Sequence, residues 1–309
     1  MLLDEISTRS NAFADVLKVI RQVAKTEANI LLTGETGSGK DFVAGLIHDA
    51  SERRARPFMK IDCASIPFSL AESEFFGYEK GAFSDASEAK SGKLQLSRGG
   101  TVYLDGINHL SSQVQSKLLR FVQEREIEPL GSTKTLSVDC RLIASCSQPL
   151  KICLKENQVR EDLYYRLAAV CIDLPPLRDR FQDIETLATG HIRELNEKYK
   201  KKARLSLDAL EMLRTYRWPG NIRELRNILE HAVIHAENEI TPLHLPLAAS
   251  VTQAQNLAHS ADRMMSLEEI EKFYIAEVLR KVKGNQVKAA AILKINRKTL
   301  MLKKRKYGL

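Results

Sequence analysis

At 309 residues, 44% hydrophobic and 28% charged, the chain has enough apolar material for a sizeable core and a length that suggests two domains or more. No apolar run approaches the roughly 20 residues of a membrane helix, and the N-terminal MLLDEISTRS lacks a signal-peptide layout, so the expectation is a cytoplasmic protein with no membrane partner. The net charge of +8 is uneven: residues 280–309 hold eleven Lys or Arg and no acid, which leaves the preceding 279 residues at −3 and marks the end of the chain as a footprint for a polyanion.

In chain order, five short apolar runs read as strands: NILLTG (29–34), PFMKIDC (57–63), TVYLD (101–105), RLIASC (141–146) and AVCIDL (169–174). Helical stretches separate them, which predicts crossover connections and a parallel sheet covered on both faces. Four of the five cysteines (Cys63, Cys140, Cys146, Cys153, Cys171) lie in or beside apolar strand-like segments, and no CxxC pair occurs. Reduced thiols are expected, rather than zinc or a disulfide framework. From about 178 the strand signals stop. LSLDALEMLRTYR and NIRELRNILEHAVIHA place apolar residues at helical spacing, with Trp218-Pro219-Gly220 between them. Residues 246–265 read as a linker. Ser266-Leu267-Glu268-Glu269 is a capping-box pattern opening a helix to about Val282, and two shorter helices, VKAAAIL and RKTLMLKKRK, follow.

The most informative stretch is LLTGETGSGKD (31–41). Its glycines let the backbone curl with N–H groups pointing inward at phosphate oxygens, the next helix adds its positive end, and Lys40 can bridge terminal phosphates. Gly34, Gly39 and Lys40 fit G-x-x-x-x-G-K between a hydrophobic run and a helix. Gly34, Glu35, Thr36, Gly37, Ser38, Gly39, Lys40 and Asp41 are therefore the candidate nucleotide loop, although Asp41 stands where a Ser or Thr usually touches magnesium. Asp105, closing a buried run, is where an acid holding Mg2+ is expected. In many ATPases the next residue is a Glu that orients or deprotonates the attacking water; here it is Gly106.

Along nearly the whole chain and in order, GETGSGKD, ESEFFGYEKGAFSDA (72–86), VREDLYYRL (159–167) and WPGNIRELRN (218–227) resemble the AAA+ domain of sigma-54-dependent transcription activators, the bacterial enhancer-binding proteins. The resemblance implies an α/β fold, an AAA+ P-loop parallel sheet with a helical lid, followed by an all-α helix-turn-helix domain, with ATP and Mg2+ as cofactors. In that family an acid after the loop lysine is normal, so Asp41 is a mild change. Gly81, Ala82, Phe83, Ser84, Asp85 and Ala86 resemble the family's GAFTGA loop, which contacts sigma-54. Phe83 keeps the ring and Ser84 the hydroxyl, whereas Asp85 replaces a glycine and limits backbone freedom. Arg160 and Arg166 carry over as fingers that reach the terminal phosphate of a neighbouring subunit, and Arg223 as a sensor touching nucleotide from the lid.

Three departures surround the attacking water. Gly106 stands at the family's catalytic Glu, Asp62 at an Asn that holds that Glu, and Ser147 at the Asn of the first sensor. ATP binding is expected to survive and hydrolysis to be weakened. For Asp62 two readings stay open: its carboxylate replaces the missing Glu beside Asp105, or it caps a strand end.

The tail GNQVKAAAILKINRKTLMLKKRKYGL resembles a Fis-type helix-turn-helix. Ala289, Ala290 and Ala291 allow close helix packing, and the last helix would enter the major groove. Asn296, Arg297, Lys298 and Thr299 are placed to reach base edges; Lys303, Lys304, Arg305 and Lys306 are placed for phosphates. The expected organisation is an AAA+ α/β subdomain (1–175), a lid (176–245), a linker (246–265) and the DNA-binding domain (266–309), with no N-terminal receiver domain. The partners would be double-stranded DNA, sigma-54 RNA polymerase and further copies of the chain, as dimers on DNA and a hexameric ring, with control from a partner protein in trans, from expression level or from a second regulator sharing the ring. The competing reading is a hydrolysis-deficient co-regulator that uses its AAA+ domain as a nucleotide-gated oligomerisation platform.

Overall fold

The computed structural model describes residues 8–148 and 150–247, and within 271–307 all but 273, 277, 280–284 and 294. The chain divides into two compact units, Met1–Leu245 and Pro246–Leu309.

In the first unit the five apolar runs become β1 (Ile30–Thr33), β2 (Phe58–Asp62), β3 (Thr101–Asp105), β4 (Arg141–Cys146) and β5 (Val170–Asp173). They form one parallel sheet in the order β2-β3-β4-β1-β5. Side chains alternate between its faces. Ile30, Leu32, Tyr103 and Ile143 join one core with helices α1 (Asn11–Val23) and α2 (Lys40–Asp49). Leu31, Ile61, Leu104 and Leu142 join the other, with α3 (Phe68–Phe76), α4 (Ser112–Glu124) and α5 (Glu161–Leu167). Each buried Leu, Ile or Phe contributes about 1.5–3 kcal/mol, against about 0–1 for an exposed ion pair, so these two cores set the stability.

Helix α1 shows how local and distant groups define one element. Its apolar residues recur at helical spacing (Phe13, Val16, Leu17, Ile20, Val23), and the Ser10 hydroxyl accepts from Phe13 N at its start. At its end the buried guanidinium of Arg141, on β4, donates to the carbonyls of Val23 (2.7 Å) and Ala24 (2.8 Å). Burial lowers the pKa of Arg141, and these bonds hold the charge in place.

The lid comprises α6 (Ile184–Tyr199), α7 (Leu207–Thr215) and α8 (Asn221–His235). Trp218 marks the break between the last two: it is fully buried, has φ of 52°, and donates from Nε1 to Leu213 O at 2.8 Å. In a parallel sheet all strand C-termini share one edge, so the loop after β1, Asp62, Asp105 and Ser147 gather there.

In the second unit, α9 (Gln286–Ile292) and α10 (Arg297–Tyr307) pack with a further helical stretch around Ile275, Val278, Leu279, Ala289, Ala290, Leu300 and Tyr307. The capping box at Ser266–Glu269 and linker residues 248–265 lie outside the described residues.

Candidate nucleotide site

The loop between β1 and α2 turns on glycines with positive φ: 138° at Gly34, 78° at Gly37 and 103° at Gly39. Lys40, mostly buried, folds its ammonium back onto the carbonyls of Gly34 (2.7 Å) and Glu35 (3.0 Å). Burial lowers its pKa, opposed by the attraction of Asp105. The Ser38 hydroxyl is buried and has no hydrogen-bond partner among the described residues. A curled backbone at a helix N-terminus, an ammonium and an orphaned hydroxyl fit a phosphate chain, which would satisfy all three.

The lid holds this loop directly. Arg178 makes a bidentate pair with Glu35 (2.7 and 2.9 Å), and Asn221 donates to the Glu35 carboxylate and to Thr36 O, both at 3.1 Å. Hydrogen bonds from Arg178 and Asn221 hold the Glu35 carboxyl below its ordinary pKa. The Asn221 carbonyl oxygen accepts from Leu177 N at 2.8 Å, and Ile222 N donates to Gly37 O at 3.0 Å. Arg180, buried against Phe13 with its pKa lowered to about 10 by burial, donates to Ser38 O at 2.5 Å. A Cβ at Gly37 would lie 2.4 Å from Gly220 O, so only glycine permits this approach. Arg223 follows on α8, exposed and within electrostatic reach of Lys40.

The opposite rim is made by strand ends. Asp105 Oδ1 accepts from Ser145 (2.8 Å) and Tyr103 (3.2 Å), and the same Tyr103 hydroxyl lies 3.0 Å from Asp41. Lys60 pairs with Asp41 and stands 3.6 Å from Asp105 Oδ2. Burial would raise the Asp41 carboxyl, but Lys60 and Tyr103 hold it lower; burial pushes the Tyr103 phenol up. The Lys60 ammonium, at 3.6 Å, is the charged partner of Asp105 Oδ2 among the described residues. No described group of three His, Cys, Asp or Glu could hold a metal alone, but Mg2+ commonly uses one or two carboxylates with phosphate and water, so Asp105 fits that ion.

Gly106 sits in the left-handed region (φ 80°, ψ 57°) and donates its N–H to the Ser145 hydroxyl at 2.9 Å. A Cβ there would come within 2.9 Å of His109 Cδ2. Asp62 pairs in register with Asp105, as its strand position implies, yet its side chain is exposed and accepts from Ala64 N at 3.1 Å, capping the strand end. Ser145, two residues before the sensor position Ser147, is the hydroxyl that reaches Asp105. Sequence reasoning missed Lys60, Tyr103, Ser145, Arg178, Arg180 and Asn221 as site residues; the signals were a lysine and a tyrosine inside apolar runs and an Asn directly after Trp-Pro-Gly.

The remaining candidates lie apart from this cluster. Arg160 is engaged within its own chain, with Asp162 (2.7 and 3.0 Å) and Ser116 (3.1 Å). Arg166 is exposed, and its side chain makes no hydrogen bond or ion pair among the described residues. Gly81–Ala86 closes on itself through Gly81 N to Ala86 O (2.8 Å), with Ala86 buried and Ser84 and Asp85 exposed. Ala82 lies against Gly131, and the half-exposed Phe83 ring packs edge-on against Tyr78 at 4.8 Å. In the second unit, Asn296 caps α10, accepting from Thr299 N at 3.0 Å, which places Arg297 and Lys298 exposed on its first turn. Lys303 is bound to Glu271 (2.5 Å), with Tyr307 on the same carboxylate (2.6 Å); Lys304 is partly exposed.

The sequence matches the sigma-54 interaction domain over residues 6–173, the AAA+ ATPase lid domain over 178–262, and the bacterial regulatory protein, Fis family, over 266–307. It is 42% identical over 296 residues to the transcriptional regulatory protein ZraR of Klebsiella oxytoca, covering 95% of this chain and 67% of that protein. To the regulatory protein AtoC of Escherichia coli it is 38% identical over 313 residues, covering 98% and 68%. The crystal structure of NtrX from Brucella abortus in complex with ATP superposes with a TM-score of 0.75 at 32% identity, over 99% of this chain and 69% of that one. No helix among the described residues is long and apolar enough to cross a membrane. With its α/β sheet, helical lid and C-terminal helix-turn-helix, the chain belongs to the sigma-54-dependent transcription regulators, AAA+ proteins with a Fis-type DNA-binding domain.

Proposed function

We propose that this regulator acts in the cytoplasm, binds ATP and Mg2+, assembles as a hexameric ring, and takes its state from nucleotide occupancy rather than from rapid turnover. The supporting observation is the contrast within one site: Lys40 and the orphaned Ser38 hydroxyl await phosphate, while the position after Asp105 carries only a glycine amide tied to Ser145. The ATP complex of NtrX supports ATP as the ligand; in this reading Gly34–Asp41 and Arg223 hold it, and Asp105 would hold the metal. When bound there, such an ion would supply positive charge against the phosphates. Arg166, whose side chain is unpaired among the described residues, is the better of the two arginines to reach a neighbouring subunit. Segments 1–175 and 176–245 form the ring, 246–265 links it to DNA, and 266–309 binds upstream DNA as dimers through Arg297, Lys298 and Lys304, with Lys303 supporting the fold. Phe83 and Ser84 carry the contact to sigma-54 polymerase. Capture of sigma-54 by the ATP-loaded protein, lost in Phe83→Ala, is the expected result of a pull-down; no capture in any nucleotide state would contradict it.

A second reading, a remodelling motor, draws on the register that sets Asp62 beside Asp105. It requires the Asp62 carboxylate to leave its bond with Ala64 N and serve the water. Turnover that Asp62→Asn abolishes would favour it.

A further inference from the structure

Two carboxylates and one phenol meet at the strand-end rim in a way that leaves a charge to be accounted for. The Tyr103 hydroxyl lies 3.0 Å from Asp41 and 3.2 Å from Asp105, and it has a single proton. It therefore donates to one carboxylate at a time, and the other faces its lone pairs. Ser145 supplies a second proton to Asp105 but none to Asp41. Two negative groups drawn together on so few protein donors, Asp41 half-exposed and Asp105 less so, are stabilised by a cation between them.

Lys60 is that cation. On β2 it pairs in register with Tyr103, so both side chains leave the sheet on one face. Its ammonium, 6.0 Å from the Tyr103 ring centroid, carries three donors and meets Asp41 and Asp105 Oδ2. The Asp105 side chain is 26% exposed and the Lys60 side chain 42%, so the group opens to solvent, and Lys40 lies within electrostatic reach of Asp105.

We propose that Lys60 is a built-in counter-cation of the nucleotide site, holding Asp41 and Asp105 until a divalent ion displaces it, so that ATP binds with little dependence on magnesium. The inference rests on the ATP-binding reading given above. Metal-free ATP meets a rim already neutralised, whereas Mg2+ must displace Lys60 from Asp105 Oδ2 before it binds there. The ordinary view of Lys60, a solvated strand lysine with one ion partner, predicts no effect on metal dependence.

The test measures ATP affinity of the full chain by calorimetry, in EDTA and in Mg2+, for the native protein, Lys60→Met and Lys60→Arg. The native affinities are expected to agree within about threefold, and Lys60→Met to bind metal-free ATP about tenfold more weakly while Mg2+ restores it. Lys60→Arg keeps the charge and should keep the native ratio. The same ratio of the two affinities in native and Lys60→Met protein would overturn the proposal. A second arm adds Mg2+ without nucleotide and follows thermal unfolding. Lys60→Met, with its carboxylates uncompensated, should gain stability from the metal, and the native chain should not. If no protein binds ATP, the ATP reading falls, and this arm alone decides the role of Lys60: an equal response in both proteins would overturn it.

Discussion

At the phosphate loop, Glu35, Thr36, Gly37 and Ser38 each receive a hydrogen bond from Arg178, Asn221, Ile222 or Arg180, so the lid holds nearly every turn of the backbone. At the strand ends, Gly106 offers a bare amide, Asp62 is occupied with its own turn, and the remaining charges are gathered around Lys60. Both regions lie on the same sheet edge, but lid contacts determine the first, whereas the second carries Gly106 after Asp105 and, in the proposed reading, lacks the carboxylate that hydrolysis uses. On the proposed reading, the difference teaches that holding a nucleotide and cleaving it are separable in one site, because each depends on its own set of side chains.

The largest test of the first region is Lys40→Ala. Removing the ammonium that lies on the loop should weaken ATP binding by about 100-fold or more, read by calorimetry. An effect below about threefold would break the comparison. Asn221→Ala should cost about 2–3 kcal/mol in denaturant unfolding, since it strands the buried Leu177 N, releases the solvent-accessible Thr36 O and puts alanine at φ of 53°. Asn221→Gly relieves the backbone and should recover only the smaller part of that loss.

At the second region, Gly106→Ala should cost about 1–2 kcal/mol from the left-handed backbone alone. The His109 ring adds a contact that His109→Ala relieves, so the double variant should lie closer to native. The smallest effect concerns pH. Glu35 has a depressed pKa in the folded chain, so its clasp contributes fully above the ordinary carboxylate range and is lost as pH falls through the lower folded value. Because the pair is substantially exposed, the loss should stay under about 1 kcal/mol, seen as a shallower acid decline in Glu35→Gln than in the native protein.

The five strands were legible because their apolar runs are short, bounded and dense in branched residues, and the observed ranges sit within one or two residues of the expected ones. Helix α6 was not singled out. It buries only Ile184, Ala188 and Ile192, a stripe too narrow to stand out against its polar majority. The phosphate loop was legible because glycine spacing is a local signal. Lys60 was not, since a lysine in a strand reads as solvent-facing until register sets it beside Tyr103. The Asn221 clasp spans 186 residues to Glu35, a separation no local pattern reports. Lys303 read as a phosphate contact from charge alone; only the packing of the second unit brings Glu271 to it.

The measurement that tests the central claim most directly is ATP turnover at ring-forming concentration, for the native chain beside Gly106→Glu carrying His109→Ala to make room for the new side chain. The account predicts tight ATP binding in both, negligible turnover in the native chain, and a gain in the variant. Native turnover at or above that of the variant, lost on Asp62→Asn, would contradict it and show that the strand-end rim still drives hydrolysis.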